Sequence, residues 1–568
     1  MNRPGRALWP LVFLSACVGS ERVEVRPPSL GPLPEPKTAA PPTSSETNPI
    51  SGDDLETGEL HLVDPPPIPV PVAVRRTIDA YPADTLEDVS LGTQPETVQQ
   101  AVELVYRRAG GAYQWSDGQR VSTAAKGLLR LIRSADDHGI RADLLRAGRL
   151  SQLESALEWN SSLLAKSEPG EHAHQQLLRL REELLYRLDA QLTASSLSLA
   201  RLMNVTRASG AELAEQFPEA AALEDWIVTM VPWHPQYARL TQALGRYRRY
   251  SAFKDVGYSG PLPLKAGQES NVRRATIMAL RTRLAAEGFA SGASPDSGSF
   301  DRTLADDLGA FQYSRGLPVD GQLDKDTLAA LNVPHRDLLS SLRKALSSWR
   351  KSPTRREQSF VQVNLPDFSV EYYRDGERRV RQRAVIGYAF GSGGGRTPLF
   401  HSTVRQVTIN PGWTPSDNIL SKDLLPKERL DPGYLRSRGF RWFTRPGPAK
   451  RRGVYQLPGD KNALGRSTIN FDNDKNIYLH GSPDPGQFKL AVRAMSHGCV
   501  RVQAIEDLAI AILEDDGVMN AGDFESALDS KRTRPIDLRQ PLPIHFEYAE
   551  VVVEDDDQVR FMPNIYRR

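Results

Sequence analysis

The apolar residues of the N-terminal half recur at three- and four-residue spacing, which places them on one face of a helix. The clearest segments are residues 102–107, 124–132, 175–185 and 191–202. Gly110-Gly111 and His138-Gly139 separate some of these segments, because glycine readily breaks a helical run. We predict a helical scaffold domain over residues 76–262, with no cluster of catalytic side chains in it.

A smaller helical unit is predicted over residues 263–335. One apolar-periodic helix there is followed by a loop rich in Ser, Gly and Asp, and then by a second helical segment. The second helical segment and the residues after it include Phe311, Gln312, Gly316, Leu317, Asp320, Gly321, Thr327, Leu328 and Leu331. With these residues the unit resembles the peptidoglycan-binding type 1 domain, a small three-helix module. The resemblance implies a glycan-binding module, and a purely structural spacer is the alternative.

From about residue 360 the apolar period changes to two, which is typical of half-buried strands. Residues 360–387 predict a β-hairpin around Asp375-Gly376. Further strands are predicted over residues 404–409, 468–471, 476–480, 544–553 and 558–561, with a helix over 504–513. The period is lost over 414–450, which predicts an inserted helical loop. The fold class is therefore multidomain α+β, with a mostly-β domain over residues 336–568.

The first residues predict an export signal. Arg3 and Arg6 precede an apolar run of eight residues, far short of the ~20 that span a bilayer. Leu14-Ser15-Ala16-Cys17 resembles a bacterial lipobox, which implies a signal peptide over 1–16 and a lipid on Cys17. Val18 in place of aspartate favours a periplasmic protein anchored to the outer membrane. An ordinary cleaved signal or an uncleaved anchor is the alternative.

Residues 17–75 predict a disordered tether, because they hold thirteen prolines and almost no periodic apolar pattern. The 72 Lys/Arg and 70 Asp/Glu of the whole chain leave a net charge of +2, and their mixed distribution does not indicate a nucleic-acid partner. Protein partners are not indicated. The chain has two cysteines, so a lipid on Cys17 would leave Cys499 as the sole thiol of the mature protein.

Residues 476–502 hold the candidate chemistry. Cys499 has two possible bases nearby in sequence, His480 and His497, and two arginines, Arg493 and Arg501, that could stabilise a thiolate and bind carboxylates. Gly498 and the backbone N–H groups around Cys499 could form an oxyanion hole. The expected pair is a His480 imidazolium and a Cys499 thiolate. The spacing matches no common zinc site, and we expect neither a metal nor a cofactor.

These residues resemble the signature of L,D-transpeptidases with a YkuD-type catalytic domain, in the large YcbB-like subgroup. The matching elements are His480, Ser496 to Arg501, Thr397 to Phe400, Asn410-Pro411 with Trp413, Asp431 to Leu435, and Pro458 to Gly465. Together with the two helical domains, the resemblance covers nearly all of residues 95–568. It implies that the insertion, about 414–455, is a capping lobe over the active site.

The resemblance also implies the role of each residue. Cys499 would be the nucleophile, His480 the proton donor and acceptor, and the Gly481 carbonyl the group that orients His480. Ser496, His497 and Gly498 would shape the site, and Arg501, Trp413 and Arg493 would bind the stem peptide. The implied reaction releases D-alanine from a tetrapeptide stem and crosslinks the acyl group to a diaminopimelate amine. The alternatives are an L,D-carboxypeptidase or exchange enzyme with the same acyl-enzyme, and a non-catalytic peptidoglycan-binding lipoprotein.

Overall fold

A computed structural model of the chain describes residues 95–567, except 209, 251–252, 254, 268–273, 291–297, 356, 389–394 and 446–451. The predicted signal peptide, the tether and Cys17 lie outside the described residues. No helix in the described part of the chain has both the length and the apolar character needed to cross a membrane.

The N-terminal region is helical, as predicted. Its helices are α1 Pro95–Arg108, α2 Thr123–Arg133, α3 Ala147–Leu164, α4 His172–Leu202, α5 Gly210–Glu215, α6 Leu223–Met230 and α7 Pro235–Arg249. The two segments predicted over 175–202 form the single helix α4, because neither glycine nor proline interrupts the run. The second half of α4 is buried on all sides, at the centre of the helical core.

Three helices form the small second domain, α8 Arg274–Ala286, α9 Arg302–Ser314 and α10 Lys325–Leu331, around a core that includes Phe311. The matching sequence motif builds the fold here. The Gln312 side chain accepts the backbone N–H of Asp320 at 3.0 Å and of Gly321 at 2.9 Å, and donates to Thr327 at 3.1 Å. At Gly321, where φ is +65°, a Cβ would lie 2.6 Å from a backbone oxygen, so glycine is required.

Helix α11, His335–Lys351, packs with the helical region. The sequence predicts that residues 336–351 belong to the catalytic domain, but the apolar stripe of α11, including Leu342, Leu346 and Trp349, is buried in the helical core. A stripe at helical spacing needs an apolar partner, and the scaffold helices supply it.

The C-terminal region is built on a sheet and two helices, α15 Ile505–Asp515 and α16 Ala521–Asp529. Within the described residues one sheet has nine strands: β1 Phe360–Asn364, β2 Ser369–Arg374, β3 Glu377–Gly387, β4 Phe400–Ile409, β7 Ser467–Phe471, β8 Leu479–His480, β9 Ala494–Ser496, β10 Val500–Val502 and β11 Arg534–Glu547. Their order is β10-β8-β7-β4-β11-β1-β2-β3-β9, and β10 also pairs with β3, so the sheet closes on itself.

Two strand predictions differ from the structure. The predicted hairpin over 360–387 has three strands, because the chain turns once at Phe368 (φ +53°) and again at the expected Asp375-Gly376. The strand predicted over 544–553 begins at Arg534, stops at Glu547 and resumes as β12, Val551–Val553, which pairs with β13, Val559–Phe561. Exposed charged residues and prolines in β11 interrupt the alternation of apolar and polar residues, so the sequence pattern does not predict the first part of this strand.

The insertion over residues 414–456, called the capping lobe below, is only partly helical. Short helices α12 Asp417–Ile419, α13 Leu425–Leu430 and α14 Tyr434–Ser437, with one π-helical turn over Leu420–Leu424, precede an antiparallel hairpin of β5 Phe440–Thr444 and β6 Arg452–Gln456. The prediction missed this hairpin, because exposed arginines interrupt its apolar alternation. The lobe has its own small core, which includes Leu420, Leu435 and Val454.

Candidate active site

Two short parallel strands bring the candidate residues together. Strand β10 pairs with β8 so that Val500 lies beside Leu479 and Arg501 beside His480. Side chains alternate between the faces of a strand, so Arg501 and His480 lie on the face opposite to Val500 and Leu479, which are buried in the core. One step earlier, Cys499 and Tyr478 lie next to each other, and the Val500 N–H donates to the Tyr478 carbonyl at 3.3 Å.

The sheet fixes the tautomer and the charge of His480. Its side chain is buried, and Nδ1 lies 2.7 Å from the carbonyl oxygen of Gly481. A carbonyl only accepts, so Nδ1 carries the hydrogen and Nε2 is left as the basic nitrogen. Burial, helped by the nearby Arg501 charge, lowers the pKa of His480 to about 3, so its imidazole is neutral near pH 7.

The surroundings of Cys499 favour the protonated thiol. Its Sγ donates to the carbonyl oxygen of Asn476 at 3.5 Å, which only an S–H can do. Burial raises the pKa of Cys499, although the Arg501 charge and hydrogen bonds from Tyr478 oppose this. The pKa directions of both groups disfavour their charged forms, which opposes the expected thiolate–imidazolium pair.

Tyr478 is a site residue that the sequence analysis missed. Its hydroxyl hydrogen-bonds the Cys499 sulfur and also the indole of Trp413. Trp413 packs against the core of the capping lobe and forms a β-bridge with Gln456. A hydrogen-bonded path thus runs from the lobe to the nucleophile. Tyr478 stands two positions before His480, and strand alternation could have placed it on the same face.

The backbone before Cys499 is held by side chains on both sides. Ser496 is buried, and its hydroxyl donates to the Cys499 carbonyl and accepts the Gly498 N–H at 3.2 Å. The buried hydroxyl of Thr397 donates to the Gly498 carbonyl at 2.8 Å. Gly498 adopts φ +122°, which disfavours any residue with a side chain. Because the Gly498 N–H is already bonded, it is not a free oxyanion donor.

A close backbone crossing supports His480 from behind. Gly465, with φ +68°, lies against Gly481, and a Cβ added to Gly465 would be 2.7 Å from the Gly481 Cα. A Cβ added to Gly481 would in turn lie 3.0 Å from the Ile505 side chain. The Gly481 carbonyl that holds His480 therefore depends on two adjacent glycines.

His497 has different surroundings. Its side chain is 41% exposed, and Nε2 lies 3.0 Å from a carboxylate oxygen of Asp423 in the capping lobe. Its ring makes an edge contact with Tyr388 at a centroid distance of 5.5 Å. His497 therefore contacts the lobe, on the loop that leads into Cys499.

The two predicted arginines also differ. Arg501 is half-buried on the site face and hydrogen-bonds Gln487. Arg493, predicted to bind the stem peptide, instead donates to the backbone carbonyls of Ala384 at 3.0 Å, Leu490 at 2.8 Å and Phe368 at 3.3 Å. These bonds engage Nε and both terminal nitrogens, so the structure gives Arg493 a role in joining strands.

No group of three or more His, Cys, Asp or Glu side chains that could hold a metal ion is found among the described residues. The facing pair His401 and His545, with Nδ1 atoms 3.0 Å apart, lies on strands β4 and β11, and Glu357 contacts His545.

Three family models match the chain. The L,D-transpeptidase catalytic domain (YkuD) matches residues 358–519, the "Putative peptidoglycan binding domain" matches 273–331, and the scaffold domain matches 100–244. The curated protein named "Putative L,D-transpeptidase" from Haemophilus influenzae is 31% identical over 218 residues, which span 36% of this chain and 43% of that protein.

Two solved structures are also similar. An L,D-transpeptidase from Xylanimonas cellulosilytica is 17% identical, with a TM-score of 0.18, and covers 51% of this chain and 98% of its own. An L,D-transpeptidase from Stackebrandtia nassauensis is 16% identical, with a TM-score of 0.21. The match covers 52% of this chain and 96% of that protein's chain. The matches agree with the predicted architecture: residues 100–244, 273–331 and 358–519 are similar to a scaffold domain, a peptidoglycan-binding domain and an L,D-transpeptidase catalytic domain, in an order consistent with the YcbB-like arrangement.

Proposed function

We propose that this chain is a peptidoglycan L,D-transpeptidase whose acyl-enzyme is a thioester on Cys499. One observation carries the proposal: within a matched YkuD domain, the Cys499 thiol immediately precedes β10, and the neighbouring strand β8 holds a neutral histidine with a fixed tautomer. A nucleophile needs a base that is deprotonated at working pH and held in place, and His480 meets both requirements.

Acylation begins from the neutral pair. His480 Nε2 takes the Cys499 proton as Sγ attacks the carbonyl of the third stem residue, diaminopimelate, in a tetrapeptide. The imidazolium formed is stabilised by the Gly481 carbonyl at Nδ1. When the tetrahedral intermediate collapses, its C–N bond breaks and His480 returns the proton to the leaving amine of D-alanine. The enzyme then holds the stem as a thioester.

The second half-reaction reverses these roles. The side-chain amine of a second diaminopimelate attacks the thioester, and His480 takes its proton. The C–S bond breaks, Sγ regains the proton, and an amide crosslink is released. Water in place of the amine would give a carboxypeptidase product, so the identity of the acceptor must be measured.

The developing oxyanion needs a donor close to the sulfur. Within the part of the chain that the structure describes, the backbone N–H of Cys499 has no hydrogen-bond partner. We assign this N–H to the oxyanion hole, because an unpaired donor beside the nucleophile gains a partner only as charge develops. Arg501, on the same face, is assigned to a carboxylate of the donor stem.

Product analysis tests the proposal. The purified full chain is incubated with disaccharide-tetrapeptides, and the products are analysed by mass. Crosslinked dimer with loss of D-alanine is expected, and the Cys499→Ala variant should form none. Tripeptide monomer alone would identify a carboxypeptidase. No change of substrate by a correctly folded protein would contradict the enzyme assignment.

We also propose a periplasmic location with a lipid anchor on Cys17, supported by the lipobox-like sequence alone. Metabolic labelling with a radioactive fatty acid should label the wild type. A Cys17→Ser variant that is labelled equally would contradict the anchor, and Cys499→Ser is the matched control because it removes the other thiol.

A further inference from the structure

The capping lobe has a charge balance unlike that of the whole chain. Residues 414–456 include ten Lys/Arg and four Asp/Glu, a net charge of +6, whereas the whole chain carries +2. The remainder of the protein is thus slightly negative. A local excess of one sign next to a cleft raises the local concentration of oppositely charged ligands.

Contacts in and around the lobe engage three of its four carboxylates. Asp417 pairs with Arg445 at 2.9 Å, and Asp423 lies 3.0 Å from His497 of the nucleophile loop. Glu428 accepts two backbone N–H groups of the next turn, at 3.1 and 2.7 Å. These acids therefore do not neutralise the outer surface of the lobe.

Three arginines of the lobe point to solvent. Arg436, Arg441 and Arg452 are exposed, and none has a carboxylate within ion-pair distance among the described residues. The Arg452 guanidinium lies 4.6 Å from the ring centre of Trp442, which is itself 44% exposed. The register of the hairpin explains this contact, because Arg452 pairs with Thr444 and so shares a face with Trp442.

We propose that the exposed basic surface of the lobe, which includes both faces of its hairpin because Arg441 lies on the face opposite to Arg452, docks the anionic glycan–peptide polymer of the cell wall, apart from the stem peptide held at Cys499. The proposal rests on the proposed function, which makes that polymer the substrate. Carboxylates recur along the polymer on its stem peptides, and guanidinium groups bind carboxylates bidentately. An exposed indole offers a flat apolar face to a sugar ring. The Asp423–His497 contact joins this surface to the nucleophile loop, so docking would hold the polymer near the cleft.

The test measures binding without turnover. The full chain, in detergent and carrying Cys499→Ala, is sedimented with purified sacculi at increasing concentrations. The triple variant Arg436→Ala, Arg441→Ala, Arg452→Ala should bind roughly tenfold more weakly, because each exposed charged contact contributes modestly. Raising the salt concentration should reduce wild-type binding more than that of the variant.

Matched controls identify the cause. Arg107, Arg149 and Arg249 are exposed arginines of the helical region, and their triple alanine variant should bind like the wild type. Sacculi whose carboxylates are converted to amides should bind the wild type and the lobe variant equally. Trp442→Ala, which keeps every charge, should weaken binding by roughly threefold.

Equal binding of intact sacculi by the folded lobe variant and the wild type would overturn the proposal. The lobe variant could instead lose binding to anionic phospholipid vesicles only. That result would also overturn the proposal and identify a membrane-docking surface. Acylation of the lobe variant, with Cys499 present, by a soluble tetrapeptide should stay at the wild-type level. The wild type and the lobe variant could both fail to form an acyl-enzyme while sedimentation still depends on the lobe arginines. In that case the proposed reaction is wrong and the docking surface is supported.

Discussion

The two histidines of the site belong to regions that are built differently. His480 lies on the closed sheet, buried, with Nδ1 held at 2.7 Å by a carbonyl. His497 lies on a loop, 41% exposed, and its polar partner Asp423 belongs to the capping lobe. The imidazole of His480 is neutral near pH 7 and its tautomer is fixed, so Nε2 carries no proton, whereas the exposed His497 is suited to a reversible surface contact. The difference locates the proposed chemistry in the sheet and the proposed access to substrate in the lobe.

The largest expected effect concerns the protonation state of Cys499 and His480 in the resting protein. Wild type should show almost no thiolate absorbance near 240 nm at pH 7, because burial raises the pKa of Cys499. A stable ion pair would instead give close to one thiolate per chain. Absorbance present at pH 6 in wild type and lost in His480→Gln would contradict the neutral pair.

A second effect tests the rigidity of the sheet side. Gly465→Ala should lower the free energy of unfolding by about 2–4 kcal/mol, because its Cβ would clash with the Gly481 backbone in a left-handed conformation. Gly433→Ala is the matched control in the lobe. It also has a positive φ, but its Cβ would have open space, so only the smaller conformational cost of about 1 kcal/mol is expected. Denaturant unfolding measures the free energy of unfolding of both variants. Equal losses in the two variants would contradict the close backbone contact between Gly465 and Gly481.

The low pKa of His480 also predicts a pH-dependent stability. The unfolded chain takes up this proton near pH 6.5, but the folded protein does so only near pH 3. The stability contribution of the neutral imidazole is therefore complete above pH 6.5 and is lost as the pH falls toward 3.

Between pH 6 and 4 the wild type should lose about 1 kcal/mol per pH unit more than His480→Gln, as measured by denaturant unfolding. The half-buried His138 and the buried His234, whose pKa values are also lowered, remain in both proteins, so the comparison isolates His480. Parallel pH profiles would show that His480 titrates normally in the folded protein.

Tyr478 connects the two regions, so its removal should have an intermediate effect. Tyr478→Phe keeps the ring and removes the hydroxyl that contacts the Cys499 sulfur and the Trp413 indole. We expect acylation to slow roughly tenfold, the value of one hydrogen bond to a developing thiolate. Trp413→Phe, which removes only the outer donor, should slow it less. Single-turnover kinetics with a tetrapeptide measures the acylation rates of both variants. A larger loss for Trp413→Phe than for Tyr478→Phe would contradict the hydrogen-bonded path from the lobe to Cys499.

The smallest effect is expected at the contact with the lobe. His497→Ala and Asp423→Asn should each change acylation by roughly threefold or less, because an exposed pair contributes under about 1 kcal/mol. The double variant should lose little more than either single one, since both remove the same contact. Additive losses in single-turnover rates would mean that the two residues act separately.

Local patterns in the sequence predicted much of the fold and which residues to consider for the candidate site. The Asp375-Gly376 turn and the short helix after Cys499 follow from neighbouring residues. The site face also follows from strand alternation, once β8 and β10 are known to be neighbours. Tyr478 could have been identified by the same alternation.

The remaining features depend on contacts that are distant in sequence. Arg493 binds carbonyls at Ala384 and Phe368, more than a hundred positions away, so its charge alone suggested a ligand role. The charge state of His480 and Cys499 depends on burial, which a motif does not encode. The hairpin of the lobe was missed because its arginines face solvent.

Intact-mass measurement of acylation tests the division of roles most directly. Wild type, His480→Ala and His497→Ala are each mixed with a disaccharide-tetrapeptide, and the mass of each protein is followed for an adduct on Cys499. We expect an adduct on wild type and His497→Ala, and a rate at least ~10³-fold lower for His480→Ala, which lacks the proposed base. An adduct that forms on His480→Ala but not on His497→Ala would contradict the account.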